Sequence, residues 1–186
     1  MGFEIQFLDW IQNCVRTPFG DTVMPILTSF SNNGEIWIAL GVVLLFFKKT
    51  RKLGIIVLLA LLLDSVVCNR IIKPLVARPR PFVVNPAAKV LVEFPSSYSF
   101  PSGHTAVSFS GAMALVFGKA KKWLWIPGVV FASVIAFSRL YVYVHYPTDI
   151  LAGIALGTLL GFAASRIVNA AEKLIQKRKK AKTTEE

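Results

Sequence analysis

Four long runs of apolar residues constrain what this chain can fold into more than any other feature of its sequence. The runs are Leu53–Val67, Thr105–Phe117, Trp123–Phe137 and Ile150–Ile167. A helix needs about 20 mostly apolar residues to cross the roughly 30 Å hydrocarbon core of a bilayer. The first run extends to about Ile72, the second begins near Ser102 and the third ends near Arg139, so each reaches a spanning length. The sequence therefore predicts at least four membrane-spanning helices.

A fifth apolar run, Ile36–Phe47, is 12 residues long and must include polar neighbours to span. Upstream, residues 3–15 and 23–30 carry apolar side chains at helical spacing, which predicts two short amphipathic helices at the membrane interface. The alternative is one long first span from Val23 to Phe47, in which the polar segment Ser31–Glu35 would be costly in lipid. We expect an all-α, polytopic transmembrane helix bundle of about five spans, or six, with interfacial N-terminal helices.

The composition agrees with a membrane protein. Apolar residues make up 54% of the chain and charged residues 17%, and the mean hydropathy is +0.58, whereas soluble domains have about 25% charged residues. A length of 186 residues indicates one domain. We place this domain at residues 1–172 and expect residues 173–186 to form a basic, mobile tail.

Positive charges predict the orientation. The chain has a formal net charge of +11, and a set of Lys and Arg side chains follows the first, third and last spans. They are Lys48, Lys49, Arg51, Lys52, Lys119, Lys121, Lys122, Lys173, Lys177, Arg178, Lys179, Lys180 and Lys182. With five spans all of them lie on one side, which should be the cytoplasm of a bacterial cytoplasmic membrane. The partner of these charges is then the bilayer rather than nucleic acid, and residues 73–101 and 140–148 face outward.

The outward segments hold the residues that could bind a ligand or catalyse a reaction, and these residues form three clusters. These are Lys73-Pro-Leu-Val-Ala-Arg-Pro-Arg80-Pro81, Pro101-Ser102-Gly103-His104, and Ser138-Arg139 followed by His145 and Asp149. Arginine offers phosphate oxygens a planar fork and lysine a compact charge. Ser102 and Gly103 open a helix, where unpaired N–H groups favour a phosphate that the glycine lets approach. The clusters predict an anion site.

The histidines predict what such a site could do. His145 stands four residues before Asp149, so the carboxylate can hold one ring nitrogen and leave the other as a nucleophile. His104 can protonate the departing oxygen and later activate water. Two histidines and one carboxylate could also hold an iron ion, but the surrounding cations would repel it. We therefore expect no metal and no other cofactor.

The three clusters resemble the signature of the type 2 phosphatidic acid phosphatase superfamily, K-x6-R-P, P-S-G-H and S-R-x5-H-x3-D, with every fixed position matched from Lys73 to Asp149. This resemblance implies a helical bundle with its site near the outer membrane surface and a phosphohistidine mechanism. In that mechanism His145 is the nucleophile, Asp149 its partner and His104 the general acid. The phosphate-binding residues implied by the resemblance are Lys73, Arg80, Ser102, Gly103 and Arg139.

The substrate is open among several lipids. The small size of the chain and the loop Val83–Phe100 favour undecaprenyl (polyprenyl) diphosphate in recycling of cell-envelope lipid. The same signature serves phosphatases of phosphatidylglycerol phosphate, phosphatidic acid and lipid A. Two other functional classes are a vanadium-haloperoxidase-like oxidation, whose known enzymes are soluble, and non-catalytic lipid binding.

Three charged residues outside the signature need separate interpretation. Arg70 and Arg78 are expected to anchor the chain at the interface. Asp64 lies inside a predicted span, where an ionisable side chain is costly and usually has a partner. We expect it to pair with Arg70 or Lys73, or to be protonated against a neighbouring helix.

Gly153, Gly157 and Gly161 recur every four residues in the last span. Such a stripe of small residues allows close helix packing. It serves contacts within the bundle or between protomers, so a homo-oligomer through this face is one expectation.

Overall fold

The computed structural model describes residues 2–185, and the side chains of all of these except 33, 180 and 182–185. Within this range the chain is helical and contains no strand, which confirms the all-α class. The helices are α1 (Gly2–Trp10), α2 (Pro18–Ser29), α3 (Glu35–Phe46), α4 (Arg51–Asp64), α5 (Lys73–Val76), α6 (Pro81–Val84), α7 (Gly103–Phe117), α8 (Lys122–Tyr141) and α9 (Pro147–Glu185). A π-helical segment, Ser65–Ile72, joins α4 to α5.

Among the described residues, three helical stretches are long and apolar enough to cross a membrane: Arg51–Val84, Lys122–Tyr141 and Pro147–Lys179. Glu35–Phe46 and Gly103–Phe117 are shorter apolar helices. All five lie where the sequence predicts spans, so the protein is a multi-pass membrane protein. The helix α9 continues through the basic segment to Glu185, and the side chains of 182–186 in the predicted mobile tail lie outside those described.

The alternative of one continuous first span is wrong. A 3-10 turn at Asn32–Gly34 separates α2 from α3. Gly34 has φ of 75°, a left-handed conformation that glycine adopts without steric cost. A Cβ at this position would also collide with the side chain of Val107. The chain therefore turns sharply before α3 begins.

The helix α7 lies at the centre of the bundle, because its small residues let α4, α8 and α9 pack around it. The stripe of Gly153, Gly157 and Gly161 faces α7 of the same chain. A Cβ at Gly161 would lie 2.8 Å from the backbone nitrogen of Ala114, and one at Gly153 would lie 2.9 Å from the carbonyl oxygen of Ser102. Of the two uses that the sequence left open for this stripe, the structure shows the contact within the bundle.

The first helices close over the end of the bundle that carries the segment 141–146. Leu8 of α1 and Ile11 after it are buried against the segment 141–146. The hydroxyl of Tyr143 donates to Asp9 Oδ1 at 2.7 Å. Since this segment carries His145, the N-terminal helices help to fix the position of the predicted nucleophile.

Candidate active site

A cavity of about 480 Å³ lies within the helix bundle. Its charged and polar lining includes Lys73, Arg80, Gly103, His104, Arg139 and His145. Its apolar lining consists of Ile38, Leu58, Leu61, Leu62 and Val107. Leu62 and Lys73 are separated by roughly 15 Å along one continuous helical segment, so the cavity reaches from charged side chains to apolar ones. The fold thus brings the three sequence clusters around one cavity that also has an apolar part.

His145 is 1% exposed and presents its two ring nitrogens to different neighbours. Its Nδ1 lies 3.4 Å from Asp149 Oδ2, and its Nε2 lies 3.2 Å from Arg80 Nη1. Burial lowers the pKa of His145 to about 3; the hydrogen bond to Asp149 opposes this shift, and the charges of Arg80 and Arg139 add to it. The imidazole is therefore neutral at pH 7, as a nucleophile requires.

Asp149 lies behind His145, in the first turn of α9, and is completely buried. Its Oδ2 accepts hydrogen bonds from Ser99 Oγ at 2.5 Å and from the backbone nitrogen of Tyr146 at 2.9 Å. Its Oδ1 accepts from Arg78 Nη1 at 2.6 Å. The carboxylate is thus held on both oxygens, and the sequence had indicated only its contact with His145.

Arg80 is fixed by a loop that the sequence did not connect with the site. Its Nε donates to the carbonyl oxygen of Ser97 at 2.7 Å, and its Nη2 donates to Ser97 Oγ at 3.1 Å. Its Nη1 also donates to the carbonyl oxygen of Val144 at 2.9 Å. Lys73 Nζ lies 3.4 Å from the same Ser97 hydroxyl. A polar run, Ser96 to Ser99, was the only sequence signal for this anchor.

Arg139 projects into the cavity from α8 and is 3% exposed. Its Nη1 donates to Thr28 Oγ1 on α2 at 2.6 Å. Its Nε is buried and has no hydrogen-bond partner among the described residues. A buried guanidinium with an unused donor suits an anionic oxygen, because an unpaired buried N–H is costly.

His104 stands at the start of α7, with Nε2 2.9 Å from Asn32 Oδ1. The adjacent residue, Gly103, borders the cavity, and a Cβ there would lie 3.2 Å from Lys73 Nζ. Glycine thus leaves room for the lysine.

The structure does not bring the Ser102 side chain to the cavity. Ser102 is completely buried, and its Oγ accepts a hydrogen bond from Thr105 Oγ1 at 2.9 Å and from the Thr105 backbone nitrogen at 3.4 Å. Its own backbone nitrogen donates to the carbonyl oxygen of Asp149 at 3.1 Å. The hydroxyl therefore caps α7 and the backbone nitrogen ties α7 to α9, while a role of Ser102 in phosphate binding stays a prediction.

Asp64 also lines the cavity and is almost fully buried, with Oδ1 unpartnered among the described residues. Of the two partners that the sequence suggested, Lys73 interacts with it electrostatically. Arg78 was predicted to anchor the chain at the membrane interface, but its guanidinium binds Asp149.

The family model of the PAP2 superfamily matches residues 53–173, well over half of the chain. The chain belongs to the PAP2 superfamily. An undecaprenyl-diphosphatase of Sulfolobus acidocaldarius is 35% identical over 169 residues, which cover 90% of this chain and 79% of that protein. A lipid A 4'-phosphatase of Bacteroides thetaiotaomicron is 32% identical over 162 residues, covering 81% and 70% of the two chains.

A solved structure has the same fold. The crystal structure of a PAP2-type phosphatidylglycerolphosphate phosphatase from Bacillus subtilis superposes with a TM-score of 0.70 and 29% identity, covering 92% of this chain and 85% of that one. In the PAP2 protein described here, the matched region of 53–173 includes all three clusters. It excludes α1–α3, although Glu4, Thr28 and Asn32 from that part contact site residues.

Proposed function

We propose that this PAP2 protein removes the terminal phosphate of a polyprenyl diphosphate, most naturally undecaprenyl diphosphate, through a phosphohistidine at His145. Membership of the family and the named relatives make it a lipid phosphatase of the PAP2 type; the lipid and the covalent step are what we add. One observation carries the proposal. A neutral, buried imidazole and three buried cations line the same cavity as a set of apolar side chains from three helices.

In the first half-reaction the terminal phosphate lies among Lys73, Arg80 and Arg139. His145 Nε2 attacks the phosphorus, an N–P bond forms, and the P–O bond to the lipid monophosphate breaks. His104 gives a proton to the departing oxygen. Asp149 accepts the hydrogen bond from Nδ1–H and stabilises the positive charge that develops on the ring.

In the second half-reaction His104 takes a proton from a water molecule, whose oxygen attacks the phosphorus. The N–P bond breaks, inorganic phosphate leaves and His145 returns to the neutral state. The sum is one diphosphate lipid and one water converted to one monophosphate lipid and one phosphate. No redox step or co-reactant is involved.

The choice of a polyprenyl tail rests on the apolar lining and on one relative. Leu62 is 62% exposed on the surface of the bundle and also borders the cavity. A lipid chain could therefore pass from the bilayer to the phosphate site. The Sulfolobus relative is named an undecaprenyl-diphosphatase. Phosphatidylglycerol phosphate and a lipid A phosphate are alternative substrates, since a structural neighbour and a relative bear such names. Phosphatidic acid is a third alternative, which only the sequence signature suggests.

We further propose that hydrolysis needs no metal and occurs on the extracytoplasmic side. Lysine and arginine charges already surround the transferred group and can stabilise its developing charge. The cations at the opposite ends of the spans favour the cytoplasm for those ends and for the C-terminus. Full activity in excess EDTA supports the first point, and loss of activity restored by added Mg²⁺ overturns it.

The deciding experiment measures phosphate release by the purified full chain in detergent. Undecaprenyl diphosphate, undecaprenyl phosphate, phosphatidylglycerol phosphate and phosphatidic acid are compared at equal mole fraction by kcat/KM. The highest value for undecaprenyl diphosphate supports the proposal, and a higher value for any other lipid overturns the substrate. Lipid binding without release from any of them would identify a carrier, and bromide oxidation with added vanadate would identify the oxidative class.

A further inference from the structure

Arg78 lies outside the family signature and outside the cavity, yet it is bound on three sides. Its Nη1 donates to Asp149 Oδ1 at 2.6 Å and to Thr148 Oγ1 at 2.7 Å. Its Nη2 donates to Glu4 Oε2 at 2.6 Å. The guanidinium carbon stands 3.8 Å from the centroid of the Tyr146 ring. A planar cation bound at both edges and stacked on one face has little freedom to reorient.

Glu4 connects this cation to the first helix of the chain. Its Oε1 accepts hydrogen bonds from the hydroxyl and the backbone nitrogen of Thr148, at 2.6 and 3.2 Å. Burial raises the pKa of Glu4, but the hydrogen bonds from Thr148 and Arg78 outweigh burial and lower it overall. Glu4 is therefore ionised at neutral pH. The ionised carboxylate attaches α1 to the start of α9, one residue before Asp149.

We propose that Arg78, held by Glu4, is a positioning residue for the His145–Asp149 pair. Arg78 occupies Oδ1 of Asp149, which directs Oδ2 toward His145 Nδ1. Its charge also offsets that of the carboxylate, so that Asp149 holds the imidazole without making it strongly basic. This inference rests on the function proposed above, because it assigns Arg78 a role in the reactivity of His145.

The charges around the His145–Asp149 pair predict the direction in which each variant shifts the pH–rate profile. His145 faces Asp149, Arg80, Arg139 and His104, while Asp149 faces Arg78, Arg80 and His145. Loss of the Arg78 charge leaves Asp149 less compensated, which favours the protonated imidazole. The acidic limb of the pH–rate profile should then move to higher pH. Loss of the Glu4 charge leaves Arg78 less compensated and should move this limb to lower pH.

A purely structural role predicts a different outcome. If Glu4 and Arg78 only dock α1, both variants should lower the yield of folded protein and shift the pH profile in the same way or not at all. Opposite shifts for the two variants therefore distinguish a positioning role from docking. A charge-conserving variant adds a second distinction, because Arg78→Lys keeps the charge but loses the fork.

The experiment uses the full chain in detergent with whichever lipid phosphate the wild type hydrolyses. The variants are Arg78→Gln, Arg78→Lys and Glu4→Gln. The control is Arg16→Gln, because Arg16 forms a similar ion pair with Asp21 on the N-terminal helices, at 2.8 Å. Folding is checked by elution as a single species and by the melting temperature.

We expect Arg78→Gln to lower kcat by about 10-fold to 100-fold with KM changed less than about 2-fold, a loss typical of groups behind a catalytic side chain. The acidic limb of Arg78→Gln moves to higher pH, and that of Glu4→Gln moves to lower pH. Arg78→Lys keeps the limb near that of the wild type, with a kcat between those of Arg78→Gln and the wild type. Arg16→Gln keeps the wild-type kcat. Wild-type kcat and pH profile in Arg78→Gln overturn the proposal.

Failure of the two proposals is distinguishable. A wild-type protein that hydrolyses no lipid phosphate contradicts the proposed function itself. An active wild type whose Arg78 and Glu4 variants shift in the same direction contradicts only the positioning role. If Arg78→Gln does not fold, the other two variants still decide. A limb moved to lower pH in Glu4→Gln, together with a lowered kcat at a wild-type limb in Arg78→Lys, supports the positioning role, and an unmoved limb in Glu4→Gln overturns it.

Discussion

The guanidinium of Arg80 and the imidazole of His145 lie with Nη1 3.2 Å from Nε2. An arginine N–H can only donate, so the lone pair of His145 is on Nε2 and its proton is on Nδ1, toward Asp149. The atom suited to attack phosphorus is thus prepared, and Arg80 covers it. An entering phosphate offers Arg80 oxygens that are better acceptors, which would free the lone pair when the substrate arrives.

The nucleophile is tested by its removal. His145→Ala should lower phosphate release by more than about 10³-fold, because the covalent step has no substitute. His104→Ala should instead slow hydrolysis of the intermediate, so that radioactive phosphate from a labelled lipid stays on the protein. The Lys52→Gln variant, which loses an exposed ion pair with Glu172, is the control. Near-normal turnover in His145→Ala would contradict the mechanism.

Two of the three cations proposed to bind phosphate, Arg139 and Lys73, should respond differently to exchange. Arg139 is fixed on α8 through Thr28, so Arg139→Lys loses a pre-positioned fork and should lower kcat by about 10²-fold to 10³-fold. Lys73→Arg should be milder, since a point charge is easier to replace. Kinetics at matched expression measure both changes. Equal and small losses would mean that Arg139 mainly connects α8 to α2.

The pH dependence follows from the burial of His145. Because its pKa is lowered from 6.5 to about 3, the neutral form proposed to attack phosphorus persists as the pH falls. The acidic limb of kcat/KM that belongs to His145 should lie well below pH 6.5, on profiles measured from about pH 2 to about pH 9. Two substrates whose phosphates have different pKa values separate enzyme from substrate limbs. A substrate-independent limb near 6.5 would contradict this prediction.

The orientation is tested with cysteines in a Cys14→Ser background, since Cys14 is exposed and Cys68 is buried. A membrane-impermeant maleimide should label a cysteine at Ala87 from outside the cell, but not one at Lys49 until the membrane is permeabilised. Both positions are exposed in the fold. The reverse pattern would place the cavity on the cytoplasmic side and exclude a role in extracytoplasmic lipid recycling.

The packing of α9 on α7 should be sensitive to one methyl group. Gly161→Ala brings a Cβ within 2.8 Å of the Ala114 backbone, and overpacking of this kind costs about 1–3 kcal/mol. Gly2→Ala is the matched control, because no atom lies within 4 Å of a Cβ there. A lower melting temperature in detergent for Gly161→Ala alone is expected. Equal melting temperatures would show that the two helices can move apart without cost.

The spans and the candidate site residues could be predicted from the sequence alone. Each spanning helix must satisfy its own backbone hydrogen bonds in lipid, so a local apolar run is enough to place it. The pairing of His145 with Asp149 is equally local, because side chains four residues apart in a helix or turn can meet. The polar segment Ser31–Glu35 marked the break before α3, because polar residues are costly inside a span.

The contacts that hold the candidate site residues, in contrast, could be seen only in the folded chain. Arg78, Ser97 and Ser99 belong to the long segment between α5 and α7, where no periodicity predicts which groups meet. Their contacts join residues 17 to 74 positions apart. The sequence likewise could not show which partner the backbone nitrogen of Ser102 would find. It meets the carbonyl oxygen of Asp149 only because α7 packs on α9, and a buried polar group takes the partner that the packed helices supply.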